Sequence, residues 1–268
     1  MSRESSSTDK IPLIMMVFLL AALILLDYFL KWGFNWVDYT IIGVVFLSAF
    51  IGYIRGLIKA VFSLAGYIIA VICAVLFSEP VALFIMEKTQ IRESVAKALE
   101  NAYSNFTVPA FNQAVDFTVI ESSNQLFEKF PVLQEFLNDN MMFGQLFNMV
   151  NPLEAGAKVL SDAITSIADL LVFSVLKVVS IIIVFFIVKI IVTIVGSIVN
   201  TLISQSDILS TTNKTIGLAL GAVVGCLVVF VAVSYIIPFI GSINILNIPR
   251  EYGESVIISY FFAAPKIL

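Results

Sequence analysis

Apolar residues run along this chain in blocks too long for a soluble core helix, separated by short polar breaks. The clearest pair lies between Trp36 and Ala74, WVDYTIIGVVFLSAFIGYIRGLIKAVFSLAGYIIAVICA. Crossing a bilayer takes about 20 apolar residues in a helix. Two such runs flank Arg55-Gly56-Leu57-Ile58-Lys59, which has room only for a tight turn, so an antiparallel membrane hairpin is expected. Similar blocks cover Ile11 to Leu30, roughly Leu170 to Ile198, and Asn213 to about Ile237 before Pro238. The predicted fold is therefore an all-α integral membrane protein with about five transmembrane helices.

The segment from 87 to 169 breaks the pattern. Its acidic residues outnumber its basic ones, and it is too polar to span. Ile91, Val95, Leu99 and Ala102 recur at helical spacing, predicting an amphipathic helix over Ile91 to Ser104. Asn151-Pro152-Leu153-Glu154 carries the features of a helix start and is expected to run unbroken into the fourth membrane helix. Glu79-Pro80 is expected to end or kink the third helix, since proline lacks an N–H donor. The polar residues 1–10 form a tail, and residues 241–268 hold an apolar stretch, Val256 to Ala264, too short to span and suited to the interface.

Small residues mark expected helix contacts. Ser48, Gly52 and Gly56 recur every four residues on the second helix, and Gly66, Ala70 and Ala74 on the third. Small side chains four apart let a neighbouring helix approach closely, so the second and third helices are expected to pack on each other. Gly217, Gly221 and Gly225 repeat the device on the fifth helix. A glycine-rich nucleotide loop is the competing reading of those glycines, and it fails because no strand precedes them.

Composition agrees: 60% of residues are hydrophobic and only 13% charged, with a mean hydropathy of +1.02. A soluble domain carries about 25% charged residues. The net charge of −4 comes with no basic patch for nucleic acid. There is no histidine, which removes His-based acid–base catalysis and most zinc or haem ligation. Cys73 and Cys226 lie inside apolar runs and read as small hydrophobes, so neither a disulfide framework nor a metal site is expected. No cofactor is expected, and no intramembrane Asp pairs with Asp27 as an aspartyl protease needs, so the chain is read as no enzyme.

Charge also sets orientation. Short loops with Lys and Arg stay cytoplasmic, which places the elbow carrying Arg55 and Lys59 inside. The 87–169 segment then falls outside the cell and the N-terminus inside. The block at residues 11–31 lacks a small-x-small cleavage site, which favours an uncleaved membrane helix over a signal peptide. Tyr28, Trp32 and Trp36 make an aromatic belt at its exit. Lys177 and Lys189 are the charges within the fourth helix, and each is near enough to one surface to snorkel. The sharper reading makes Asp27, Lys177 and Lys189 parts of a polar pathway, although no acid in the other apolar runs stands out as a partner for the lysines.

Asp38-Tyr39, Ser48, Gly52, Arg55-Gly56, Ser63-Leu64 and Ala70 together resemble the first hairpin of the CvpA family, the colicin V production proteins. Gly196 and Asn200, then Asn213, Gly217, Gly221 and Gly225, resemble its second hairpin. The resemblance assigns residues 36–86 and 170–240 to the two hairpins and leaves the helix at 11–31 as an addition. It implies a bacterial inner-membrane protein serving colicin V production, toxin export or cell-envelope homeostasis. The partners it implies are the lipid bilayer and other membrane or envelope proteins, with a second copy of the chain a further candidate. A small oligomeric channel or transporter is the alternative. In a bacterial protein the glycosylation-type tripeptides at Asn105 and Asn213 are chance matches.

Overall fold

The computed structural model describes residues 11–103, 111, 114–116, 120, 122–153, 164–203, 211–243 and 246–263. The expected polar tail at 1–10, the tripeptide at Asn105, residues 154–163 with Glu154, and most of the connection at 201–212 lie outside them. The described residues form helices in chain order: α1 (Ile11–Leu30), α2 (Trp36–Lys88), α3 (Ile91–Ala102), α4 (Ser123–Lys129), α5 (Pro131–Asp139), α6 (Met141–Val150), α7 (Ile167–Ile203), α8 (Thr211–Val231), α9 (Ile237–Ser242), α10 (Arg250–Gly253) and α11 (Val256–Ala263). Among them, Trp36–Lys88, Ile167–Ile198 and Asn213–Ser242 are long and apolar enough to cross a membrane. The chain divides into two compact units.

The first unit gathers residues 1–69, 188–233 and 248–268. Here α2 is broken once, at Gly56, whose φ of 74° and ψ of 177° lie outside the helical region. A side chain at that φ is strained, so glycine makes the elbow possible. The expected five-residue turn is thus a single residue, with helix resuming at Leu57. Pro80, further along α2, does not end it, and the helix continues to Lys88. Membrane helices tolerate an internal proline because their surroundings absorb one lost N–H.

Gly52 and Gly66, one on each small face of α2, face other helices and not each other, contrary to expectation. A Cβ built on Gly52 would lie 2.2 Å from the Gly217 carbonyl oxygen and 2.7 Å from the Gly221 Cα. One on Gly221 would lie 2.5 Å from the Ser48 oxygen, and one on Gly225 2.8 Å from the Val45 Cα. As positions rise from 45 to 56 on α2, their partners fall from 225 to 213 on α8, so these two helices are antiparallel. Beyond the elbow, Gly66 faces Val192 and Lys189 of α7, and Gly196 of α7 faces Phe62. Ser48 and Arg55 of one limb of α2 and Ser63 and Tyr67 of the other line one cleft. Helix α1 lies by α8, where Leu23 shares an apolar cavity of about 270 Å³ with Ile41, Val45, Cys226 and Ile257.

The second unit gathers residues 70–187 and 234–247. Its core is aromatic and aliphatic: Leu99, Tyr103, Phe111, Leu126, Leu133, Phe136, Phe143 and Phe147 pack with Ile164 and with Leu170 and Phe173 from the start of α7. The rings of Tyr103, Phe136 and Phe143 meet edge to face at centroid distances of 5.2 to 6.1 Å, the geometry that aromatic quadrupoles favour. The apolar positions of α3 that set the helical period in the sequence include Leu99, fully buried in this core. The Tyr103 hydroxyl donates to the Ser242 carbonyl. Burial pushes its pKa up to about 12, so the phenol keeps the proton it donates.

The expected helix start at Asn151 is not one. Asn151 has φ 39° and ψ 67°, and its N–H donates to the Phe147 carbonyl, closing α6 with a left-handed cap. Helix α7 begins instead at Ile167. The Ser166 hydroxyl accepts from the Asp169 N–H at 3.2 Å, and Asp169 Oδ2 accepts from the Thr165 N–H at 3.1 Å and its hydroxyl at 2.9 Å. This reciprocal cap meets two free N–H groups of the helix end. Arg92 of α3 pairs with the other oxygen of the buried Asp169.

A substitution series tests the close approach. Gly221→Ala forces a carbon into backbone atoms and is expected to cost at least about 2 kcal/mol, as overpacking does. Gly43→Ala, where a Cβ meets nothing within 4 Å, is the matched control and should melt like the parent in detergent. Equal melting temperatures for the two variants would refute the packing. At the cap, Asp169→Ala should lower the melting temperature more than Arg92→Ala, because only the former orphans the Thr165 N–H and hydroxyl as well as breaking the ion pair.

Candidate functional site

Polar groups held inside the apolar helices gather at four places. The first is the elbow. Asn213 lies at the start of α8, and its Oδ1 accepts the Leu57 N–H at 2.7 Å. The same side chain covers Gly56, where a Cβ would come within 3.1 Å of Nδ2. Helix starts leave free N–H groups, and here a residue distant in sequence caps the second limb of α2. Asn213 was one position of the sequence resemblance, and its contact with Gly56 joins the two hairpins.

The second is the cleft beside that elbow, about 160 Å³ in volume. Arg55, Ser48, Ser63 and Tyr67 line it with Gly52 and Gly221. Lys189 reaches two of the same residues: its Nζ donates to the Ser63 carbonyl at 3.2 Å and stands 3.4 Å from the centre of the Tyr67 ring. Gly66 leaves the room for this ammonium, since a Cβ there would be 3.2 Å from it. The lysine therefore turns into the helix packing, whereas snorkelling was the simpler expectation. Lys59 is exposed.

The third is a carboxylate clamp that composition and periodicity did not reveal. Asp38 is fully buried. Its two oxygens accept from the Asn35 N–H at 3.0 Å, the Ser255 hydroxyl at 2.6 Å, the Ile257 N–H at 2.8 Å and the Val256 N–H at 3.3 Å. Ser255 in turn accepts from the Ile258 N–H at 3.1 Å. A negative group at a helix N-terminus meets free N–H donors and the positive end of the dipole. Asp38 so fastens α11 to the start of α2. Asn35 adds a bond to the Glu251 carbonyl at 2.6 Å. Nearby, Tyr252 donates to the Val233 carbonyl at 3.1 Å. That carbonyl lies in the π-helical turn, Ala232–Ile236, that follows α8. In an i to i+5 turn its partner would be the N–H of residue 238, and Pro238 has none, so the tyrosine supplies the missing donor. The tail is thus anchored by buried polar bonds.

The fourth belongs to the second unit. Lys177 Nζ lies 3.7 Å from Glu79 Oε2 and donates to the Val150 carbonyl at 3.2 Å. The acidic partner that the sequence did not single out is therefore Glu79. Asp27, the remaining candidate for a polar pathway, accepts from the Phe34 N–H at 3.3 Å and from the Tyr39 hydroxyl. It ties the end of α1 to the start of α2, and neither lysine is among those contacts. Ala70 and Ala74 are buried as expected of packing residues, and the side chain of Asn200 lies outside the described residues.

Long apolar helices with polar groups turned inward define a helical membrane protein. The family model of the colicin V production protein matches residues 37–127 and 155–264. That is most of the chain, and the protein belongs to this family. The match takes in both hairpins, much of the polar segment between them and nearly all of the tail; α1 precedes it. No curated protein matches the chain, and no solved structure does.

Removing the clamp tests the reading of Asp38. Asp38→Ala leaves up to four donors without their acceptor and is expected to cost about 3 kcal/mol, at roughly 1 kcal/mol or more for each buried donor. The readout is local: amide exchange at residues 255–258 should accelerate far more than in the aromatic core of the second unit. Unchanged protection at those amides would rule the clamp out.

Proposed function

We propose that this protein is a non-enzymatic inner-membrane component of bacteria that supports colicin V production, toxin export or envelope homeostasis by holding membrane partners. Family membership carries this reading. In it, α1, the two limbs of α2, α7 and α8 with α9 make five crossings. Each limb of α2 on either side of Gly56 is long enough for one, since 20 helical residues rise about 30 Å. Arg55, Lys59 and Lys214 then face the cytoplasm with the N-terminus, and the unit built on α3 to α6 stands outside the cell. Arg250 falls outside too, a small departure from the charge rule.

The partner-binding reading draws support from the second unit. It has its own aromatic core, yet leaves Ile91, Val132 and Met141 exposed. Bonding of most polar groups into packing and caps also favours a scaffold over a catalyst, because catalytic groups need free access to a substrate. The alternative, a small oligomeric channel or transporter, rests on the polar cleft at Arg55 and Lys189.

Two measurements test this. With single cysteines in a background lacking Cys73 and Cys226, a membrane-impermeant thiol reagent on intact cells should label position 122 and spare position 59; the reverse pattern inverts the orientation. Crosslinking from position 132 should recover envelope or secretion proteins. Recovery of none, together with ion or solute flux in liposomes containing the purified protein, would replace the scaffold with the channel.

A further inference from the structure

The cleft beside the elbow has a composition that the scaffold role does not require. Arg55 lines it, and Lys189 touches two of its walls, Ser63 and Tyr67. The charge of Arg55 bears on both Tyr67 and Lys189, so the two cations lie within electrostatic range of each other. Among the described residues no carboxylate pairs with either one, whereas Lys177 and Arg92 each have an acid. Two like charges at such range repel, and among the described residues no carboxylate offsets that. Ser48 and Ser63 also line the cleft, and a hydroxyl can donate to an anion as well as accept from a cation.

From this we infer that the cleft binds a phosphate group between Arg55 and Lys189. The volume of about 160 Å³ is several times the roughly 30 Å³ share of one water, which suits a phosphate. Guanidinium offers a planar fork that matches two phosphate oxygens, and the lysine adds a compact charge. Lys189 is half-buried, and the lower polarity around it strengthens its contact. The close helix contact at Gly52 and Gly221 forms the floor, so the site is built by the same packing that joins α2 to α8. A phosphodiester on a membrane lipid and free phosphate share this chemistry. The site does not depend on which face of the membrane the elbow occupies.

The full chain, purified in a non-ionic detergent, should bind either dihexanoyl-phosphatidylglycerol or inorganic phosphate saturably. Binding of the lipid that millimolar phosphate does not displace identifies a headgroup site, and binding of phosphate with equal or greater affinity identifies a free-anion site. In either case Arg55→Gln and Lys189→Gln should each weaken binding at least about tenfold, the scale of one charge-assisted contact. Lys177→Gln should bind as the parent does. Arg55 is exposed, so R55Q decides the matter even if K189Q loses its fold. Parent-like affinity in R55Q, or no saturable binding of either probe, overturns the site.

Discussion

Two backbones come closer here than side chains allow. Gly52 of α2 and Gly217, Gly221 and Gly225 of α8 let the helices touch main chain to main chain, and the elbow at Gly56 depends on that contact. Only at such range can Asn213 reach across to cap Leu57. The cap holds the second limb of α2 at its starting point, and that limb then meets α7 through Gly66 and Gly196. In lipid, where burying apolar surface gains nothing over facing the tails, such close packing and a few internal hydrogen bonds are what holds helices together.

The buried polar groups follow from the same solvent. A membrane core offers no water to a stray N–H or carboxylate. Asp38 is therefore spent on the free donors of α11, Tyr252 on the carbonyl left by Pro238, and Glu79 on Lys177. Each of these groups looks isolated when its own stretch of sequence is read alone. The partners stand far away in the chain: Asp38 and Ser255 are 217 residues apart, and Leu57 and Asn213 are 156 apart.

The second unit, residues 70–187 with 234–247, takes in the segment between the hairpins and packs around one core. The helices of that segment are short, and stability rests on burial of Phe and Leu side chains and on ring contacts, as in a water-soluble core. The first turns of α7 belong to that core, with Phe173 and Leu170 buried in it. One helix thus serves a soluble-type core over its first turns and presents Ile187, Ile190, Ile191 and Ile194 as an exposed apolar face further on.

Local chemistry made several features readable from residues alone. Long apolar runs, a helical period at Ile91 to Ala102, and glycines every four residues each depend on neighbours in sequence, and so does the composition that excludes a soluble domain. Which small face meets which did not follow, because a stripe of glycine specifies that something comes close without naming it; α8, not the second limb of α2, fills that place. The same limit applied to Asn151, whose side chain suits either end of a helix, and to Glu79, whose partner lies on another helix. Periodicity is carried by the chain itself, whereas pairing arises only once the folded helices bring distant positions within hydrogen-bond reach.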